Sequence, residues 1–281
     1  MKKRILKIKR LCCLIMVCVV AFTSVDVYAA ITVGGSAPGR YKKNGNCGYD
    51  NLESGVILVE KFMKEITHDP LFGSPVANKK FLYKYNYAWE QDMKPGKHAN
   101  DSIDDVNFMI YCGHGIIKGK DRLPNNSLHY YTCNSSTTIH KSGVENDASS
   151  NLLTTEARWG QRGTQTRWVA LFTCNFLNSK DSQYTKMMQG LRICMGFGST
   201  MYVDSRQGEM LGEDLYDGEN IIDSFLKGAS TYQRGMVENG GCEAVVIYTA
   251  DSRDDTIKSS LTRQEPIGGS TYYYVLSRFI P

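Results

Sequence analysis

Three things are scarce in this chain: long apolar runs, an excess of charge of one sign, and closely spaced metal-binding cysteines. The uncharged apolar run near the start, Leu11 to Phe22, holds 12 residues, whereas a helix crossing a bilayer needs roughly 20. No stable membrane anchor is therefore expected. That run follows Lys2, Lys3, Arg4, Lys7, Lys9 and Arg10 and precedes Val27-Tyr28-Ala29, the order of an export signal cleaved before Ala30. The expectation is a signal peptide over 1–29 and a secreted protein, extracellular or in the cell envelope. The formal charge of +4 belongs to that leader, because 27 basic and 28 acidic residues remain once it is removed. No basic field is left to attract nucleic acid or an anionic membrane, and no nucleic-acid motif is visible.

Cysteine is also sparse for an exported protein. Six remain after the leader: Cys47, Cys112, Cys133, Cys174, Cys194 and Cys242. An even number permits disulfides, but this is far below the density of a disulfide-stapled miniprotein. A chain of this length buries a sufficient core without staples, so at least one free thiol is expected. Neither C-x-x-C nor H-E-x-x-H spacing occurs, which argues against a zinc centre. Repeats and low-complexity linkers are absent, so 30–281 reads as a single domain.

What is present alternates in period. Ile31 to Gly35 reads as a short strand, and Leu52 to Ile66 as an amphipathic helix, with Val56, Val59, Phe62, Met63 and Ile66 three and four apart. Phe81 to Trp89 alternates and favours a strand. Val106 to Tyr111 and Trp168 to Phe172 are nearly continuous apolar runs, as expected of strands buried on both faces of a parallel sheet. A helix near Ser182 to Leu191, a strand near Ile193 to Phe197, a helix carrying Ile222, Phe225, Leu226 and Ala229, and strands at Cys242 to Tyr248 and Tyr272 to Leu276 complete the pattern. Strands alternating with helices predict an α/β fold with a mainly parallel sheet. Between the two central strands lies a polar excursion, Lys118 to Thr155, an insertion loop bounded at 118–157, and loops of that length usually serve function.

In an open parallel sheet, ligands bind beyond the carboxyl ends of the strands. There the sequence places Gly113-His114-Gly115 after one central strand and Thr173-Cys174-Asn175 after the other. An imidazole and a thiol at neighbouring strand ends suit acyl transfer: the sulfur attacks, and the imidazole takes and later returns the proton. The backbone N–H groups of Gly115 and Cys174 are candidates for an oxyanion hole.

These residues carry a resemblance. A buried strand ending in His-Gly, then a long loop and a second buried strand ending in Cys, resembles the caspase-like clan of cysteine peptidases, which includes caspases, legumains, gingipains and clostripain. The runs Asn86 to Asp92, Asp104-Asp105-Val106 leading to His114, Arg158-Trp159-Gly160 and Trp168 to Asn175 look like an uncharacterised family of bacterial proteins on that scaffold. The resemblance implies a three-layer sandwich with helices on both faces of the sheet, His114 as general base and Cys174 as nucleophile. It implies a peptide or protein substrate and no metal or organic cofactor. Two departures stand out. Thr173 occupies a position usually held by a small residue, and Cys112 is not a usual clan feature; it offers Cys174 a redox partner. The alternative expectation is a catalytically inactive secreted protein of the same scaffold that binds peptide or glycan. Asp104 and Asp105 precede the strand and read as a structural turn, while Trp89, Trp159 and Trp168 read as core and loop anchors.

Overall fold

The computed structural model describes residues 31–41, 50–68, 75–96, 101–116, 127–129, 151–161, 163–177, 184–235, 240–258 and 272–281. The expected leader 1–29, Cys47, Cys133, His98, His140 and most of the 118–157 loop lie outside the described residues.

Seven strands form one sheet: β1 (Ile31–Ala37), β2 (Ala77–Lys84), β3 (Phe108–Cys112), β7 (Trp168–Phe172), β8 (Ile193–Phe197), β9 (Cys242–Thr249) and β10 (Tyr273–Ile280). Their order across the sheet is β10-β9-β8-β7-β3-β1-β2. From β2 to β8 all pairings are parallel, and β9 and β10 are antiparallel additions at one side. The fold is α/β with a mostly parallel sheet. A second, three-stranded antiparallel sheet consists of β4 (Gly115–Ile116), β5 (Ser127–His129) and β6 (Asn151–Leu153).

Strands β3, β7 and β8 are buried at every residue, because the pleat turns alternate side chains into two separate apolar layers. Phe108, Ile110, Cys112, Trp168, Ala170, Phe172, Ile193, Met195 and Phe197 face one layer. That layer is closed by three long helices, α1 (Glu53–Ile66), α4 (Ser205–Asp217) and α5 (Ile221–Tyr232). Met109, Tyr111, Val169, Leu171 and Cys194 face the other. It is closed by 3₁₀ turns, by Trp159, and by two single-turn helices, α2 (Thr154–Ala157) and α3 (Tyr184–Met187). Helices thus flank both faces, though unequally.

Three elements differ from the sequence reading. Strand β2 starts earlier and stops at Lys84, because a 3₁₀ turn at Tyr85–Tyr87 takes the chain away from the sheet edge. Strand β9 is antiparallel to its neighbours, a direction that a mostly buried run does not encode. Helix α4 was not anticipated: its window contains Gly208 and Gly212, poor helix formers. Those glycines are where α4 crosses α1. A β-carbon at Gly208 would collide with the Leu58 carbonyl oxygen, and one at Gly212 would lie 2.8 Å from that of Phe62. Asp204 caps the helix by accepting the Arg206 backbone N–H at 2.9 Å, and Gly218 ends it in the left-handed conformation, φ 89°.

At the amino ends of the parallel strands the sheet is tied by a buried polar group. Asp255 accepts from Arg192 Nε at 2.6 Å, Arg192 Nη2 at 2.7 Å and Trp168 Nε1 at 2.8 Å. Trp159 Nε1 donates to the Met93 carbonyl at 2.7 Å. Asp105 closes a capping box with Ser102, and Asp104 accepts the Gly96 N–H at 2.7 Å. The tryptophans and the Asp104–Asp105 pair are structural, as read from the sequence.

Candidate active site

The opposite, carboxyl end of the parallel strands carries the reactive residues. Cys112 pairs with Phe172 across β3 and β7, and the Gly113 N–H continues the ladder to the Phe172 carbonyl at 3.2 Å. His114 and Cys174 each lie two residues beyond the ends of these adjacent strands. Cys174 packs against the layer of α1, α4 and α5. Gly115 meets the same turn: a β-carbon there would clash with the Cys174 carbonyl and lie 2.5 Å from Thr173 Oγ1. Glycine at 115 is therefore required by the neighbouring strand end. Asn175, φ 57°, turns the chain sharply after Cys174, in a conformation that asparagine tolerates better than most residues, and its N–H donates to the Ser199 carbonyl at 3.0 Å.

His114 is half-buried and held from two sides. Its backbone N–H donates to the Tyr41 hydroxyl at 3.1 Å, and the Tyr41 ring lies against the imidazole, centroids 4.6 Å apart. Its Nε2 is 2.9 Å from the Asp50 carbonyl oxygen. A carbonyl only accepts, so Nε2 carries the hydrogen and, in the neutral ring, Nδ1 holds the basic lone pair. Burial lowers the pKa of His114; the Asp50 carbonyl and the Asp50 charge offset part of that shift. The imidazole is thereby kept neutral and basic near pH 7.

Cys174 is half-buried, and its thiol is engaged elsewhere. Sγ accepts the Met201 backbone N–H at 3.4 Å, and the S–H donates to the Met201 carbonyl at 3.6 Å. Burial raises the thiol pKa, and the Met201 N–H works against that rise. Both directions favour the uncharged forms, a thiol at Cys174 and a neutral imidazole at His114. Thr173 is buried with its hydroxyl unpartnered.

Cys112, Cys174, Cys194 and Cys242 are free thiols. Cys112 is fully buried beneath the first turn of α1, its Sγ 2.8 Å from where a β-carbon on Gly55 would be. Burial pushes its pKa far up, and proximity to Cys174 adds to this. Cys112 and Cys174 are close enough to interact electrostatically, and both thiols are free. Cys242, at the start of β9, also feels Cys174, and burial pushes it up to about 12.

Sequence reasoning singled out His114 and Cys174 and passed over Tyr41, Asp50 and Met201, which contact them. Asp50 and Met201 contribute backbone atoms, which any residue supplies, so no sequence signal marks them. Among the carboxylates of α4 and its cap, Asp204 pairs with Arg206, Glu209 with Lys61 and Asp214 with Lys227. Gly115 also belongs to the small sheet, paired with Leu128. Among the described residues, no group of three or more His, Cys, Asp or Glu side chains is arranged to hold a metal ion, and no helix is long and apolar enough to cross a membrane.

Fold and site together define an α/β protein with a mostly parallel sheet and with a histidine and a cysteine just beyond the carboxyl ends of two adjacent strands. The chain belongs to the family described as a domain of unknown function, DUF6345, which matches residues 45–276. Comparison with curated proteins gives no match.

Proposed function

We propose that the protein is a secreted cysteine endopeptidase on a caspase-like three-layer scaffold, with His114 and Cys174 as its catalytic pair. One observation supports this reading: β3 and β7 are adjacent and parallel, so His114 and Cys174, each two residues beyond its strand, share the carboxyl end of the sheet, where α/β proteins bind ligands. The state of the imidazole adds support, since a neutral ring with Nε2–H fixed on a carbonyl is a base at Nδ1.

The reaction follows from these states. On substrate binding the Cys174 side chain rotates off Met201, and its proton passes to His114 Nδ1 as Sγ bonds to the scissile carbonyl carbon. The oxyanion is held by the backbone N–H groups of Gly115 and Cys174. The C–N bond then breaks, His114 gives its proton to the departing amine, and water activated by His114 hydrolyses the thioester. No metal or organic cofactor enters these steps. A leader of basic residues followed by a short apolar run supports export before this chemistry takes place.

A second reading, a non-catalytic secreted protein that binds peptide or glycan, is favoured by one feature: the thiol is hydrogen-bonded to Met201 and burial raises its pKa. Peptide-library cleavage by residues 30–281, with Cys174→Ala as control, separates the two. The peptidase reading expects cleavage that the substitution abolishes; the binding reading expects none from either protein.

A further inference from the structure

We propose that Tyr41 is a positioning residue that holds the His114 imidazole against the Asp50 carbonyl. The role in catalysis rests on the peptidase reading; the positioning itself does not.

Tyr41 follows β1 and is buried, 2% exposed, although it carries a hydroxyl. It contacts His114 twice, through different groups. The hydroxyl accepts the His114 backbone N–H, fixing the main chain where it leaves β3, and the ring packs on the imidazole at 4.6 Å with a tilt of 56°. The first contact sets where the side chain begins, and the second limits how the ring turns.

Gly113 completes the arrangement. A β-carbon at 113 would lie 2.8 Å from the Tyr41 hydroxyl and closer still to that of Tyr111. Only glycine lets the two phenols converge on the strand end, so the Gly-His turn is shaped for Tyr41 as well as for β7. Tyr41 is held in turn: its N–H donates to Asn51 Oδ1 at 3.0 Å, and the Leu52 N–H donates to the Gly39 carbonyl at 2.6 Å. Asn51 adjoins Asp50, so one short segment supports both the tyrosine and the carbonyl that takes the Nε2 hydrogen.

The tyrosine ring also keeps water from the imidazole, which favours the neutral form. His114 meets Asp50, from the segment before α1, and Tyr41, from the segment after β1; Cys174 lies two residues beyond the neighbouring strand β7. Arg40 and Glu53, flanking the same segment, pair with each other at 3.0 Å. Burial lowers the imidazole pKa, and the Asp50 carbonyl and charge raise it, so exposing the ring moves its titration upward.

The test compares the wild-type chain with Tyr41→Phe and Tyr41→Leu, by NMR titration of the histidine ring protons, with His114→Asn assigning the signal. Titration needs no enzymatic activity, so its result stands whether or not the protein cleaves peptides. In the wild type, His114 titrates below the ordinary imidazole value of ~6.5. Tyr41→Leu is expected to move the midpoint up toward that value. Tyr41→Phe keeps the ring contact, should keep the midpoint low, and serves as the conservative rescue if the leucine variant folds poorly. In the cleavage assay, Tyr41→Leu is expected to lower kcat roughly tenfold with KM unchanged and to shift the acid limb of the pH profile with the His114 midpoint. Identical His114 titrations in all three proteins would overturn the proposal. A shifted titration in a protein without peptidase activity would support the positioning role and remove the catalytic reading.

Discussion

At Cys174 two effects oppose each other. Burial favours the thiol, and the Met201 N–H at 3.4 Å favours the thiolate, with burial the larger. At His114, burial favours the neutral ring against the pull of Asp50. The signs give a pH dependence. A raised thiol pKa means less thiolate at neutral pH, so alkylation of Cys174 by iodoacetamide should be slow near pH 7 and should climb about tenfold per pH unit through and beyond the ordinary thiol value of ~8.5. A lowered imidazole pKa means that the base persists into mildly acidic solution, so the acid limb of catalysis should fall below ~6.5. Mass-spectrometric alkylation rates across pH check the first point; a fast rate at pH 7 that is flat with pH would mean a preformed ion pair instead. Cys112 is expected to stay unmodified throughout, since it is fully buried under α1.

Elements are held by contacts that the same residues make possible. Helix α4 lies on α1 through Gly208 and Gly212. Gly→Ala within a helix ordinarily stabilises by about 1 kcal/mol, but at Gly208 the new methyl would strike the Leu58 backbone carbonyl. The clash should win, and Gly208→Ala is expected to lower stability by about 1–3 kcal/mol in urea melts. Asp255 is 4% exposed and satisfies both Arg192 and Trp168. Asp255→Ala would leave the buried Arg192 guanidinium with the more exposed Asp251 as its carboxylate partner, and chemical denaturation should register a loss of about 3 kcal/mol. These two sites also mark what the sequence conceals. The α1 stripe was legible because Val56, Val59, Phe62, Met63 and Ile66 repeat at helical spacing. Helix α4 was not, because its glycines are explained by α1, an element more than 130 residues away in sequence. The direction of β9 was hidden for a similar reason: Cys242–Thr249 is almost wholly buried, so its composition records coverage and not polarity.

For the whole molecule, the central placement was readable and its surroundings were not. Two apolar runs ending in His114 and Cys174 implied adjacent parallel strands, and β3 and β7 are adjacent and parallel. The shell around them came from backbone groups of Asp50 and Met201 and from the hydroxyl of Tyr41, none of which leaves a pattern in the chain. The sheet divides its labour: polar ties such as Arg192–Asp255 lie at the amino ends of the strands, and the thiol and imidazole at the carboxyl ends. Substitutions at the first end should therefore act on stability, and those at the second on chemistry.

The most direct test of the account is a single comparison: cleavage of a peptide library by residues 30–281 against the Cys174→Ala protein, both confirmed folded by their circular dichroism. The account predicts cleavage by the first and none by the second, with no requirement for reductant, since Cys112 and Cys174 are free thiols. Equal cleavage by both proteins, or none by either across pH 5 to 9, would contradict it.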